Sequence, residues 1–174
     1  MTSVPDEIVL RRDRDLAGRQ HEIWVRRALV TLLAAVPVLA LANLLGQRPQ
    51  TLTAASPAAT LQVYAPGRVR SGLLYEARFR IEARTALRRA TLILDPGWLE
   101  GMSVNTIEPS PVDETSNDGR LSLDLGRIDA GRTFVLYMQF QTNPTNVGHR
   151  AASVSLIANG RRILRVHRSI TIFP

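Results

Sequence analysis

Between Ala28 and Gly46 the chain reads ALVTLLAAVPVLALANLLG, a run without one charged side chain. At about 1.5 Å per residue, a helix of this length spans roughly 28 Å, close to the thickness of a bilayer's hydrocarbon core. A helix packed on a soluble core would show a polar face, and only Thr31 and Asn43 interrupt this run. The expectation is one transmembrane α-helix over residues 28–46, held in the lipid bilayer and bent locally at Pro37, a disturbance that membrane helices tolerate. Ala42 and Gly46 make a small-xxx-small pair, which an alanine-rich helix carries without implying dimerisation.

Arginine placement sets the orientation. Arg11, Arg12, Arg14, Arg19, Arg26 and Arg27 precede the run, whereas Arg48 alone follows closely. Basic residues beside a span remain on the cytoplasmic side, so the N-terminus is expected inside and residues 47–174 outside. Trp24, Arg26 and Arg27 fall where a membrane-interface anchor belongs. Glu7/Arg11, Asp15/Arg19 and Glu22/Arg26 are spaced i,i+4 with the acid first, the favourable helical order, so residues 1–27 read as a cytoplasmic helical segment. The competing reading is a secretory signal cleaved after Ala42, in the small-residue pattern of positions 40–42. The long leader and the continuation of the apolar run through Leu44 and Leu45 favour the uncleaved anchor.

Gln47 to Ala59, QRPQTLTAASPAA, lacks periodicity and reads as a linker over 47–58, leaving an extracytoplasmic domain over 59–174. There the pattern changes to period two. Tyr75, Ala77, Phe79, Ile81 and Ala83 alternate with Glu76, Arg78, Arg80, Glu82 and Arg84, the mark of a half-buried antiparallel strand. Leu121, Leu123 and Leu125 alternate in the same way, as do Phe134, Leu136, Met138 and Phe140. TLQVYAP, ATLILDPGW and MSVNTIEP supply further strands, and ASVSLIANGRRILRVHRSITIF reads as two strands joined at Asn159-Gly160, a strong hairpin signal. About seven such strands, with no helical period among them, predict an immunoglobulin-like antiparallel β-sandwich.

The stretch ATLILDPGWLEGMSV, a variable loop, and then LSLDLGRIDAGRTFVLYMQFQT resembles the CARDB-like and conserved-repeat (domain of unknown function 11-like) immunoglobulin-like domains of bacterial surface proteins. The resemblance rests on Leu125, Gly126, Ile128, Ala130, Gly131 and Thr133, followed by the alternating strand, and covers about residues 60–173. It departs from the pattern where EARTALRRA replaces an N-x-G-like turn, and in having one copy behind one anchor. The resemblance implies the fold and a surface-exposed, non-catalytic role. It carries over no binding residue.

Chemistry-bearing motifs are sparse. The chain has no cysteine, which excludes disulfides, thiol nucleophiles and cysteine metal sites. His21, His149 and His167 lack metal-ligand spacing. Asp113 to Asp124, DETSNDGRLSLD, loosely suggests a calcium loop, but Asp118 stands where an EF-hand needs glycine, so a surface hairpin is expected. No nucleophile elbow, phosphate loop or dinucleotide turn occurs, and neither enzyme activity nor a cofactor is expected. All 22 basic residues are arginine, and the net charge of +7 permits an anionic partner. Arg161, Arg162, Arg165, His167 and Arg168 gather on the last hairpin, either as a contact for an anionic polymer or lipid or as charges that protect an edge strand. Nucleic acid is not expected, because the domain lacks an aromatic stacking platform. Trp98 reads as an exposed contact or as a lid over the open end of the sandwich. The expected function is an interaction module held at the membrane, an accessory to an envelope or membrane protein.

Overall fold

The computed structural model describes residues 20–42 and 47–174. The arginines and acids before Gln20, and Asn43 to Gly46 of the uncharged run, lie outside the described residues.

Helix α1 spans Gln20–Leu41, so the charged stretch holding Glu22, Arg26 and Arg27 runs into the apolar one without a break. Pro37 removes one backbone donor, yet the ladder resumes beyond it, with Ala42 N donating to Val38 O at 2.9 Å. Leu29, Val30, Leu32, Leu33, Val36 and Val38 are all exposed, around the whole circumference. A helix apolar on every side needs apolar surroundings, and this one is a candidate membrane anchor by length and composition. Trp24 is 69% exposed, with the Arg27 guanidinium 5.5 Å from its ring centroid.

The remaining elements are strands: β1 Pro49–Ala55, β2 Ala59–Pro66, β3 Arg68–Arg70, β4 Leu74–Ala83, β5 Leu87–Leu94, β6 Met102–Glu108, β7 Asp113–Asn117, β8 Arg120–Ile128, β9 Thr133–Thr142, β10 Gly148–Ala151, β11 Val154–Ala158, β12 Arg161–Val166 and β13 Ser169–Phe173. They form two five-stranded antiparallel sheets, ordered β1-β2-β4-β9-β6 and β12-β11-β5-β8-β7. A third sheet, β10-β13-β3, contains a parallel pair, β13 with β3. The domain is an immunoglobulin-like β-sandwich.

Register places apolar residues together on the inner faces. In the first sheet Phe79 lies opposite Leu136 and Val63, and Ala77 opposite Met138. In the second, Leu92 lies opposite Leu123 and Leu156. All of these side chains are buried. Asp118-Gly119 and Asn159-Gly160 both adopt positive φ at the two central positions, at 50° and 71° and at 53° and 77°, the conformation that a two-residue hairpin turn demands.

Two expectations need correction. Residues 47–58 are not a free linker: β1 is the edge strand of the first sheet, and its Leu52 and Ala54 pack partly buried on the core. Its Pro49 is the strand's first residue, where a missing donor is tolerated. The final segment is also not one hairpin. The chain leaves the second sheet after Val166, and β13 joins the third, with His167 and Arg168 at the crossing.

Pro96–Trp98 forms a 3₁₀ turn after β5, and its Gly97 lies directly against the chain at Ala151. A Cβ built there would stand 2.2 Å from the Ala151 carbonyl oxygen, a backbone atom that cannot turn aside. Gly97→Ala is therefore expected to destabilise the domain by about 1–3 kcal/mol, read as a lower denaturant midpoint at unchanged m-value.

Candidate interaction surfaces

Trp98 is fully buried, which settles its role as part of the core rather than an exposed contact. Its ring lies 5.2 Å from that of Phe140 and 5.4 Å from that of Phe79, and Phe140 stacks on Tyr75 at 5.2 Å. Arg168 closes this aromatic column, its guanidinium 4.5 Å from the Trp98 ring centroid and donating to Pro66 O at 2.8 Å. Burial lowers the Arg168 pKa to about 10, which leaves it charged at neutral pH. Burial also raises the Tyr75 phenol well above its ordinary value, and Tyr75 Oη donates to Met102 Sδ at 3.1 Å.

Beside this column, Arg165 Nη2 meets Asp95 Oδ2 at 2.6 Å, with Arg120 near the other oxygen at 3.9 Å. Arg150 pairs with Glu100 at 3.2 Å and donates to Asn146 Oδ1 at 2.6 Å. The five basic residues expected to form one contact surface are thus divided. Arg168 is buried against Trp98 and Arg165 is tied to Asp95, while Arg161, Arg162 and His167 remain exposed. The hairpin does not present a continuous basic face. His149 lies at another edge, its Nδ1 3.1 Å from Thr171 Oγ1.

Asp113 to Asp124 folds as the β7–β8 hairpin, with Asp113 and Asp124 as cross-strand partners. Arg89 Nε donates to Asp124 Oδ2 at 2.8 Å and, with the Gly126 N–H, holds that carboxyl below its ordinary pKa. Among the described residues, no group of three or more histidines and carboxylates could hold a metal ion.

A surface that sequence reasoning missed is the outward face of the first sheet. Register aligns Thr51, Tyr64, Arg78, Tyr137 and Glu108 in one row across all five strands. The Arg78 guanidinium stands 4.9 Å from the Tyr64 ring centroid, with Tyr137 directly across the strand pair. Gln62, Arg80 and Val135 occupy the next row and, with Thr51, Tyr64, Arg78 and Tyr137, line a shallow hollow of about 170 Å³. Arg80 is paired with Glu82 at 2.8 Å, whereas Arg78 has no acid partner among the described residues. Alternation alone put Arg78, Arg80 and Tyr137 outside, but the alignment with Tyr64 depends on register.

No protein-family model and no curated protein matches the sequence. Among solved structures, the chain is similar to the CARDB domain of a Pyrococcus furiosus protein in complex with di-metal ions, at 10% identity and a TM-score of 0.38, covering 73% of this chain and 96% of that one. It is also similar to a Pseudomonas fluorescens alkylpurine DNA glycosylase bound to abasic-site DNA (13% identity, TM-score 0.33, 76% of this chain and 32% of that one). A GH20 exo-β-N-acetylglucosaminidase from Vibrio harveyi is similar at 11% identity and a TM-score of 0.33, over 73% of this chain and 18% of that one. No ligand or activity passes from these proteins to this chain.

Proposed function

We propose that this chain is a non-catalytic, membrane-tethered interaction module, an accessory subunit that docks an envelope or membrane protein on the outward face of its first sheet. The observation that carries this reading is the Tyr64–Arg78–Tyr137 row. Tyrosine and arginine are enriched at the anchoring centres of protein interfaces, where tyrosine supplies contact area with little loss of side-chain freedom and arginine supplies a fork of donors. Here they sit on the outward face of a sheet whose inward side chains are buried in the core. Arg78, stacked over the Tyr64 ring with Tyr137 its partner on the next strand, is offered to a partner carboxylate.

Co-purification of the intact protein in mild detergent tests the proposal. A stoichiometric protein partner is expected with the wild type, and the double variant Arg78→Glu, Tyr137→Ala should lose it while keeping its thermal unfolding transition. Retention of the partner by that variant would sink the assignment of the face.

The orientation proposed from arginine asymmetry has its own check. A cysteine introduced at Ser116, exposed on β7, is expected to react with a membrane-impermeant thiol reagent in intact cells or spheroplasts, and one at Ser3 is not. Labelling at position 3 alone would invert the topology. Release of residues 43–174 as a soluble product would establish cleavage instead.

A further inference from the structure

Three connections meet at the end of the sandwich opposite the entry of the chain at Gln47. Gln47 Nε2 donates to Leu74 O at the start of β4, whereas these connections gather where β4 ends, at Ala83. Arg84 N and Thr85 N both donate to Ala58 O, at 2.8 and 3.1 Å. Ala83 N donates to Arg132 O at 3.0 Å, and Gly131 N to Ala83 O at 2.7 Å. Asn159 N donates to Arg89 O at 3.2 Å, which ties the β11–β12 turn to β5. The two sheets therefore bring the β4–β5 connection, the β8–β9 turn and the β11–β12 turn into one terminal surface.

That surface is built largely of arginine. Arg84, Arg88, Arg132, Arg161 and Arg162 are all exposed, and none of them forms an ion pair among the described residues. Three nearby acids are already engaged, Glu82 with Arg80 at 2.8 Å, Asp124 with Arg89 at 2.8 Å and Asp129 with Arg127 at 2.6 Å, and Asp113 stands beside Arg89. The backbone bonds from Arg84 to Ala58, Ala83 to Arg132 and Asn159 to Arg89 hold these arginines on adjoining connections at one end of the sandwich. The domain keeps this like-charge crowding instead of relieving it with acids.

We infer that this arginine end is a docking surface for a linear phosphate polymer, on which successive phosphates engage Arg84, Arg88, Arg132, Arg161 and Arg162. The guanidinium fork matches phosphate oxygens bidentately. Among linear polyanions, a phosphate chain brings the charge density that best offsets several uncompensated cations. Binding also releases the counterions condensed on such a chain, a gain that grows with each cation engaged. A bilayer fits less well. None of the large exposed hydrophobic residues lies on these three connections, so there is no apolar group to enter the headgroup layer. Single-stranded nucleic acid fits less well for want of an exposed aromatic at this end on which bases could stack. The inference goes beyond the proposed protein contact and uses a different surface.

Full-length protein in detergent, titrated with fluorescently labelled long-chain polyphosphate at several salt concentrations, tests it. The comparison is between wild type, the triple variant Arg84→Gln, Arg132→Gln, Arg161→Gln, and a charge-matched control variant Arg68→Gln, Arg70→Gln, Arg120→Gln, whose three arginines are exposed elsewhere on the domain. Arginines before the helix are common to all three proteins. The triple variant is expected to bind at least tenfold more weakly, with a salt dependence shallower by about two to three in the log–log slope. The control should stay within about twofold of wild type. Equal binding by wild type and triple variant would overturn the inference, as would an equal loss in the control, which would show only net charge at work. Anionic-lipid vesicles or oligonucleotides that depend on the same three arginines more strongly than polyphosphate would also overturn it. Partner co-purification is expected to be unchanged in the triple variant, so this result and that of the sheet face fail or stand separately.

Discussion

Leu136→Asp is expected to unfold most of the domain's population at neutral pH. Leu136 is 0% exposed and faces Phe79 across the β4–β9 pair, so the new carboxylate would lie between the sheets with no partner. An unpaired buried charge costs several kcal/mol, against a total stability of about 5–15 kcal/mol for an ordinary domain. The cost has a pH signature with a definite sign. Burial raises the folded-state pKa of the aspartate above its unfolded value of about 3.9, so the folded protein holds that proton more tightly. The variant is therefore most stable in mild acid and loses stability as pH rises through the interval between the two values. Gln139→Asp, three residues along on the exposed face, should cost about 0.5 kcal/mol or less, mostly from Glu76 directly opposite. Thermal unfolding of fragment 47–174, which contains every buried apolar residue of the sandwich, separates the two. Equal effects would mean that the faces of β9 are wrongly assigned.

Trp98→Ala is expected to be the costliest truncation. Trp98 is among the largest fully buried side chains, and it joins Phe79 and Phe140 to the cation of Arg168. Removing it leaves a cavity between the sheets, worth about 3–5 kcal/mol for a large aromatic. It also strips Arg168 of the ring that its guanidinium covers. For a domain of this size the loss corresponds to roughly 10–20 °C in Tm. Arg168→Met tests the second part. It removes a buried charge but keeps a long apolar stem over the ring, and it should lower Tm by much less than Trp98→Ala. A Tm for Trp98→Ala within a few degrees of wild type would show that the aromatic column does not hold the sandwich together.

Much of this architecture was legible in the chain. Five apolar residues in strict alternation from Tyr75 to Ala83 admit one inner face, and all five are buried. Asn159-Gly160 announced its hairpin because few other dipeptides tolerate two positive φ values in succession. β1 escaped notice because its inward residues, Leu52 and Ala54, alternate with threonine and alanine, a contrast too weak to show a period. The third sheet was equally hidden, since β3 is three residues long and β13 reads as a continuation of β12. The surfaces were harder than the core. Arg165 and Arg168 looked like the neighbours of Arg161 and Arg162, but their roles are set by Asp95 and Pro66, 70 and 102 residues away in the chain. The arginine end needs three separate connections to coincide, and the Tyr64–Arg78–Tyr137 row needs the register of three strands. Local pattern reports which way a side chain points, not which other side chains meet it.

The parallel pairing of β13 with β3 bears on the order in which the domain is made. Phe173 lies beside Arg70, and Arg168, two residues before Ile170, supplies the cation over Trp98 and the bond to Pro66. A ribosome delivers residues 49–166, enough for both large sheets, before any of these contacts can form. During that interval the aromatic column is open at one end and β3 has no partner. Closure spans about a hundred residues of chain, the kind of non-local step that slows folding and lengthens exposure of unpaired strands. The nascent domain therefore passes through an unlatched stage, and its last few residues act as the latch.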